Sequence, residues 1–206
     1  MDKQRKHLTQ QIIQAGQFLY RQGWSPATSS NYSTRLSAEQ ALLTVSGRHK
    51  GELTAEDVLV VDWQGQSLEE GKKPSAETLL HTQLYQWRAE IGAVLHTHSN
   101  DACVLSLLEQ STELRLHGYE LQKAFTGYTT HESTLVVPIF ANDQTIPRLA
   151  TQVQQWLDTH PDCVGYLIRG HGLYTWGAQM SDALRHIEAF EALFACELKL
   201  RALRAV

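Results

Sequence analysis

The run IGAVLHTH, residues 91–98, constrains the fold of this chain more than any other stretch. Its first five residues are all apolar or glycine, and the polar residues SND that follow limit it to the length of one strand. An uninterrupted apolar run of this kind is typical of a strand whose two faces are both covered. It therefore predicts a sheet with packed layers on each side.

Helical patterns predict what those layers contain. Apolar residues spaced about 3.6 apart predict a first helix that ends near Gly23. Each of the four later helices is predicted from a capping residue or a proline in its first turn, namely Ser75, Ser99 or Asn100, Pro147 and Ser181. The last of these helices continues to the C-terminus.

Strands are predicted between these helices, in ALLTVS, in VLVVD after a turn capped by Thr54, in STLVVPIF, and in a hairpin within CVGYLIRGHGLYTWG. Pro138 favours an edge strand or a strand end, because proline cannot donate a hydrogen bond to a neighbouring strand. No linker or repeat divides the chain. We predict a single domain, residues 1–206, of the α/β class with helices flanking a sheet.

Composition excludes several classes of function. The formal net charge is −4 with acidic and basic residues interspersed, which gives no basic footprint for nucleic acid. We expect no membrane association, because no apolar run is long enough to cross a bilayer and no signal peptide is recognisable. Three cysteines in apolar surroundings, Cys103, Cys163 and Cys196, predict reduced core thiols in a cytoplasmic protein rather than a disulfide frame or a cysteine metal site.

His96 and His98 lie two residues apart at the end of the buried run. Alternate residues of a strand point to the same face, so the two imidazoles can converge on one point. The end of a strand in an α/β protein is also a common place for a ligand site. A pair alone leaves two interpretations open, a metal site and two hydrogen-bonded polar histidines, because zinc needs three or four ligands.

His171 in RGHGLYTWG is the best candidate for a third ligand, since glycines on both sides leave its ring unobstructed. A solvated histidine in a hairpin turn is the alternative. The other seven histidines fit less well, and His81 is predicted to pack within a helix or face water. Three neutral imidazoles on a divalent ion would leave one position open, which is typical of a catalytic site.

Five motifs in order, SNYSTRL, TVSG, KPSAE, VLHTHS and RGHGLYTWG, resemble the class II (zinc-dependent) aldolase and epimerase family over nearly the whole chain. The resemblance implies a three-layer α/β/α fold around a central, mostly antiparallel sheet. It also implies one Zn²⁺ per subunit held by His96, His98 and His171, a sugar-phosphate substrate, and a homotetramer with active sites near subunit interfaces.

The resemblance assigns further roles. Glu77 matches a glutamate that acts as an acid or base and can touch the metal; its alternative role is to stabilise a helix N-terminus. The segments that surround the substrate phosphate contribute Asn31, Ser33, Ser46, Gly47 and Ser75. Ser30 departs from the family, whose aldolases have glycine there. Lys50 could add charge beside the phosphate, although a solvated lysine is the favoured interpretation.

The branch of the family depends on the segment GYELQKAF. The family's aldolases, epimerases and dehydratases share an enediolate and differ in which bond breaks next. GYELQKAF resembles the dehydratase pattern, in which Glu120 would be the general acid or base that assists loss of hydroxide. The neighbouring Tyr119 would instead suit an aldolase, and an adducin-type binding protein without catalysis is the alternative from another class. We predict a dehydratase.

Overall fold

The computed structural model describes residues 2–204. Its helices are α1 (Lys3–Arg21), α2 (Thr78–Trp87), α3 (Asn100–Leu108), α4 (Ile146–Thr159) and α5 (Met180–Arg204). Its strands are β1 (Asn31–Arg35), β2 (Gln40–Thr44), β3 (Val58–Asp62), β4 (Ala93–Thr97), β5 (Glu113–His117), β6 (Thr134–Phe140), β7 (Gly165–Ile168) and β8 (Gly172–Gly177). Short 3₁₀ turns occupy Lys50–Glu52, Ala55–Asp57 and Glu120–Ala124.

The eight strands form one sheet in the order β3-β2-β1-β4-β8-β7-β6-β5. Neighbouring strands are antiparallel, except that β6 and β7 are parallel. The buried run that opened the sequence forms β4, whose five residues are all buried between β1 and β8. The predicted central and mostly antiparallel sheet is therefore confirmed.

Helices cover both faces of this sheet. On one face, α1, α3 and α5 pack with residues such as Ile12, Leu105 and Phe190. On the other face, α2 and α4 pack together over residues such as Leu84 and Val153. Side chains of β4 pack alternately into the two cores, because neighbouring strand residues point to opposite faces. This arrangement is the three-layer α/β/α fold that the resemblance implied.

Local details differ from the predictions at several positions. The helix predicted from Ser75 begins at Thr78, and Ser181 lies inside α5 rather than capping it. Ser99 does cap α3, accepting a hydrogen bond from the backbone N–H of Ala102 at 3.1 Å. Pro138 is not on an edge strand, since β5 is the edge and β6 pairs on both sides. It directly precedes the two residues of β6 that pair with β7, so the parallel ladder needs no N–H from it.

Strand direction decides which loops can meet. The C-terminal ends of β4, β6 and β7 and the N-terminal end of β8 lie together, and we call this the site end of the sheet. β5 runs antiparallel to β6, pairing His117 with Thr134 at the other end. The seven residues of β6 separate the two ends by about 20 Å at the usual rise of a strand.

None of the helices in the described part of the chain combines the length and the apolar character needed to cross a membrane.

Candidate metal centre and cavity

Three histidines and one glutamate converge at the site end of the sheet. One ligand atom from each of Glu77, His96, His98 and His171 lies within 4.8 Å of the others. The Nε2 atom of His96 is 2.8 Å from that of His98 and 3.3 Å from that of His171. The structure thus brings together the predicted third ligand and the pair on the buried strand.

Backbone geometry explains the glycines beside His171. The histidine sits in the tight turn between β7 and β8, and its N–H donates to the carbonyl of Ile168 at 3.0 Å. Gly170 has a φ of +63°, a conformation that side chains disfavour. A Cβ at Gly172 would come within 1.9 Å of the carbonyl oxygen of Thr97, so only glycine allows this hairpin to approach β4.

Hydrogen bonds set the tautomers of two of the imidazoles. Nδ1–H of His96 donates to the carbonyl of Leu173 at 2.9 Å, and Nδ1–H of His171 donates to Oδ1 of Asn142 at 3.3 Å. Each Nε2 therefore carries a lone pair directed into the cluster. Neighbouring lone pairs repel one another unless a cation lies among them, and three imidazole nitrogens with an adjacent carboxylate suit Zn²⁺.

Burial keeps the imidazoles of His96 and His98 neutral, as metal binding requires. It lowers the pKa of His96 well below the ordinary value and lowers that of His98 to about 4. The ring of His96 also stacks on Tyr174, with centroids 4.0 Å apart. Both imidazoles can thus offer a lone pair near neutral pH.

Glu77 is held by groups on several elements. Its Oε2 atom accepts hydrogen bonds from Asn31 Nδ2 at 2.8 Å and from the Tyr174 hydroxyl at 3.0 Å. Its Oε1 atom lies 3.0 Å from Nε2 of His171. Burial raises the pKa of the Glu77 carboxyl, but the adjacent His96 and His171 and the hydrogen bond from Asn31 outweigh burial and hold that pKa below its ordinary range. The group is therefore ionised near neutral pH.

A cavity of about 270 Å³ opens beside the cluster. Its wall includes His98, His171 and Glu77 and a set of small or polar residues, namely Thr28, Ser29, Ser30, Asn31, Ser46, Gly47 and Ser75. Four of the five residues assigned to the phosphate are therefore in this wall. A wall rich in hydroxyls and exposed backbone suits an anionic group.

Ser33, the fifth residue assigned to the phosphate, is not brought to the cavity. It is fully buried, and its hydroxyl bonds to Nδ1 of His81 at 2.7 Å and to the hydroxyl of Tyr85 at 2.8 Å. Alternation along β1 gives Ser33 the same face as Asn31 but places it further from the site end. Its hydroxyl is thus used within the protein.

Lys50 is buried, which contradicts the favoured interpretation of a solvated lysine. Only 1% of its surface is exposed. Its ammonium donates hydrogen bonds to the carbonyls of Thr28 at 3.2 Å and Arg48 at 2.6 Å. These bonds connect the loop before β1 to the loop after β2, and both loops contribute to the cavity wall. Burial lowers its pKa to about 8. Lys50 remains mostly charged at neutral pH and lies behind the wall that carries Ser46 and Gly47.

Glu120 lies far from this cluster within the same chain. It begins the 3₁₀ turn after β5, at the end of the sheet opposite the histidines. Its carboxylate is exposed and pairs with Lys123 at 2.5 Å and with His131 at 3.7 Å. The hydroxyl of Tyr119 points elsewhere and donates to Glu197 at 2.6 Å. Within one chain, Glu120 therefore does not contact His96, His98 or His171.

Three residues that hold the site were not predicted from the sequence. Tyr174 is the residue of β8 directly opposite His96 on β4, and Asn142 follows the end of β6. His81 lies in α2, one turn after Glu77. Asn142 carries a recognisable signal, a polar side chain immediately after a buried strand, whereas Tyr174 requires knowledge of the strand register.

Known proteins similar to this chain agree on one family. The family described as "Class II Aldolase and Adducin N-terminal domain" matches residues 10–198. A methylthioribulose-1-phosphate dehydratase of Pseudomonas fluorescens is 70% identical over 202 residues, covering 98% of this chain and 97% of the relative. A protein of the same name from Azotobacter vinelandii is 69% identical over 204 residues, covering 99% of each.

Solved structures resemble this fold over nearly all of its length. L-fuculose-1-phosphate aldolase from Thermus thermophilus superposes with a TM-score of 0.79 at 26% identity, covering 98% of this chain and 99% of that protein. A sugar-phosphate aldolase from Thermotoga maritima gives a TM-score of 0.69 at 17% identity, covering 96% of each. The second similarity concerns the fold alone.

Proposed function

The chain belongs to the class II aldolase family, and we propose that it removes water from 5-methylthioribulose 1-phosphate, forming 5-methylthio-2,3-dioxopentyl phosphate in methionine salvage. The observation that carries this proposal is 70% identity, over nearly the whole chain, to a relative named for that dehydration. The converging histidines and the hydroxyl-lined cavity support it, because this reaction needs a polarising site beside a place for phosphate.

The metal is proposed as one Zn²⁺ per subunit. His96, His98 and His171 would hold it through their Nε2 atoms, with Glu77 beside them. Bound there, zinc would supply Lewis acidity to the carbonyl and hydroxyl oxygens of the substrate and thus acidify the C–H bond at C3. The donor set supports this assignment, since three neutral imidazoles leave a position open for substrate.

Two carboxylates would move the protons. Ionised Glu77 is the carboxylate in contact with the histidines, and we assign it removal of the proton at C3. Glu120 would then donate a proton to the hydroxyl at C4, so that the C4–O bond breaks and water departs. The resulting enol takes up a proton at carbon and becomes the diketone. Once Glu77 has released its proton to solvent and Glu120 has taken one up, the sum of these steps is the loss of one water.

Glu120 can perform this step only on a neighbouring subunit, because about 20 Å of sheet separates it from the histidines of its own chain. We therefore propose a homotetramer in which this turn of one subunit faces the cavity of the next. Exposed apolar side chains near the site support an interface there. They are Val104, Leu107 and Leu108 on α3, next to the His171 hairpin.

We also propose that the protein works in the cytoplasm. Cys103, Cys163 and Cys196 are all free thiols, which is typical of a reducing compartment. Only Cys163 lies in the core as predicted, because Cys103 is half-buried and Cys196 is exposed on its helix.

Lys50 is proposed to support phosphate binding through the two loops that it joins. We expect Lys50→Met to raise KM about tenfold and to leave kcat within about twofold, because a hydrogen bond to a charged group contributes about 1.5–3 kcal/mol. Inhibition by inorganic phosphate should weaken in parallel. Lys6→Met removes the same charge from an exposed position on α1 outside the cavity wall and should leave both values unchanged. An unchanged KM in the Lys50 variant would contradict this role.

A product assay tests the function directly. Purified protein loaded with zinc is incubated with 5-methylthioribulose 1-phosphate, and the products are analysed by mass spectrometry. We expect a product lighter than the substrate by one water. Release of a three-carbon fragment, or inversion at C4 without loss of mass, would instead identify the aldolase or epimerase reaction of the same family.

A further inference from the structure

A chain of buried hydrogen bonds runs from α2 through β1 to Glu77. The hydroxyl of Tyr85 is 2.8 Å from that of Ser33, which is 2.7 Å from Nδ1 of His81. Nε2 of His81 contacts Oδ1 of Asn31, and Nδ2 of Asn31 lies 2.8 Å from Oε2 of Glu77. All of these groups except the Glu77 carboxylate are at least nine-tenths buried, so water does not compete for their bonds.

The chemistry of these groups allows only one order of donors and acceptors along this series of hydrogen bonds. Ionised Glu77 only accepts hydrogen bonds, so Asn31 must turn its amide N–H toward it and its oxygen toward His81. His81 must then carry its hydrogen on Nε2. Its Nδ1 is left to accept from Ser33, whose oxygen is left to accept from Tyr85. Burial lowers the pKa of His81 to about 3, which keeps the ring neutral as this order requires.

We propose that His81 is a positioning residue, which locks the Asn31 amide so that Glu77 is held in the orientation needed to accept a proton. The inference rests on the proposed catalytic role of Glu77. It goes beyond that role because it names a residue with no contact to the cavity and states which tautomer it must adopt.

The same hydrogen bonds argue against the predicted contact of the Asn31 side chain with the substrate phosphate. One N–H of its amide donates to Glu77, the other lies 3.1 Å from the hydroxyl of Ser75, and its oxygen accepts from His81. The side chain therefore has no hydrogen left for the substrate phosphate. The Asn31 side chain instead serves to hold Glu77 and Ser75.

Substitutions at His81 separate positioning from simple packing. His81→Phe keeps a ring but removes both nitrogens, and we expect kcat to fall about 10- to 100-fold, the usual cost of losing a group that orients a ligand. KM should stay within about twofold and zinc should remain stoichiometric. His81→Gln can still donate to Asn31 and accept from Ser33, so it should recover most of the lost kcat.

The matched control is Thr175→Val. Thr175 is also fully buried, and its hydroxyl donates a hydrogen bond to the carbonyl of Val164 at 2.6 Å, but it contacts neither Glu77 nor the turn that carries Glu120. This variant should lower thermal stability while leaving kcat unchanged. Equal losses of kcat in Thr175→Val and His81→Phe, or an unchanged kcat in His81→Phe, would overturn the proposal.

Nuclear magnetic resonance of ¹⁵N-histidine-labelled protein gives a test that needs neither activity nor a folded phenylalanine variant. The ring signals of His81, assigned by their loss in His81→Gln, should show a hydrogen on Nε2 and none on Nδ1 between pH 5 and pH 8. A hydrogen on Nδ1, or protonation in this range, would overturn the proposal. If the tautomer is as expected but wild-type protein forms no dehydrated product, the proposed function fails and the hydrogen-bond order stands.

Discussion

His171→Ala is expected to lose both bound zinc and activity. The imidazole supplies one of three converging Nε2 lone pairs, and two nitrogens with a carboxylate make a poorer zinc site. Loss of a group that merely orients a ligand weakens metal binding about 10- to 100-fold, so loss of the ligand itself should cost more than about 100-fold. Metal analysis after gel filtration and the dehydration assay measure the two losses together.

His171 is the best ligand for this substitution because it lies on a hairpin turn at the cavity wall, whereas His96 is fully buried in the sheet. The folded structure should therefore persist, as circular dichroism can check. Added zinc should raise the unfolding temperature of the wild-type protein more than that of the variant, since a ligand stabilises only the state that binds it. His7→Ala, at an exposed position on α1, is the control. Stoichiometric zinc with normal turnover in His171→Ala would remove His171 from the site.

The sequence predicted the parts of the fold that depend on local pattern. The all-apolar β4, the amphipathic α1 and the Ser99 cap were read correctly, because each leaves a periodic or capping signal. β1 was missed because its residues NYSTR are mostly polar, although the structure buries four of the five. Polar strands of this kind are recognised only once their side-chain partners are known.

Residues whose type and local sequence already indicate metal binding could be predicted. His96, His98 and His171 could be selected from strand alternation and from the glycines of the hairpin. The groups that orient them could not, because Asn142 and Tyr174 reach the site through the pairing of strands far apart in sequence. Lys50 illustrates the same limit, since lysine is exposed by default and only tertiary structure shows that backbone carbonyls surround it.

Glu120→Gln is expected to retain zinc and lose turnover. The amide keeps the shape of the carboxyl but cannot donate a proton as an acid, and general acid catalysis contributes about 10²- to 10⁴-fold. Stability should change little, because the carboxylate is exposed and its pairs with Lys123 and His131 lie at the surface. Glu132→Gln, an exposed glutamate in the same loop, should behave as wild type. Normal turnover in Glu120→Gln would mean that another group protonates the leaving hydroxyl.

Mixing the two inactive variants distinguishes catalysis within a chain from catalysis between chains. Suppose that Glu120 of one subunit acts at the histidines of the next subunit. A mixed assembly then contains some complete sites, in which the Glu120→Gln subunit contributes intact histidines and the His171→Ala subunit contributes an intact Glu120. Random assembly from equal amounts makes about one site in four complete, because each of its two halves is intact half the time. Co-refolded variants should therefore recover about a quarter of wild-type activity, whereas each variant refolded alone stays inactive. Absence of recovery, with mixed oligomers demonstrated by mass spectrometry, would contradict a shared site. Glu120 would then have to act elsewhere, because within one chain the length of β6 keeps it from the histidine cluster.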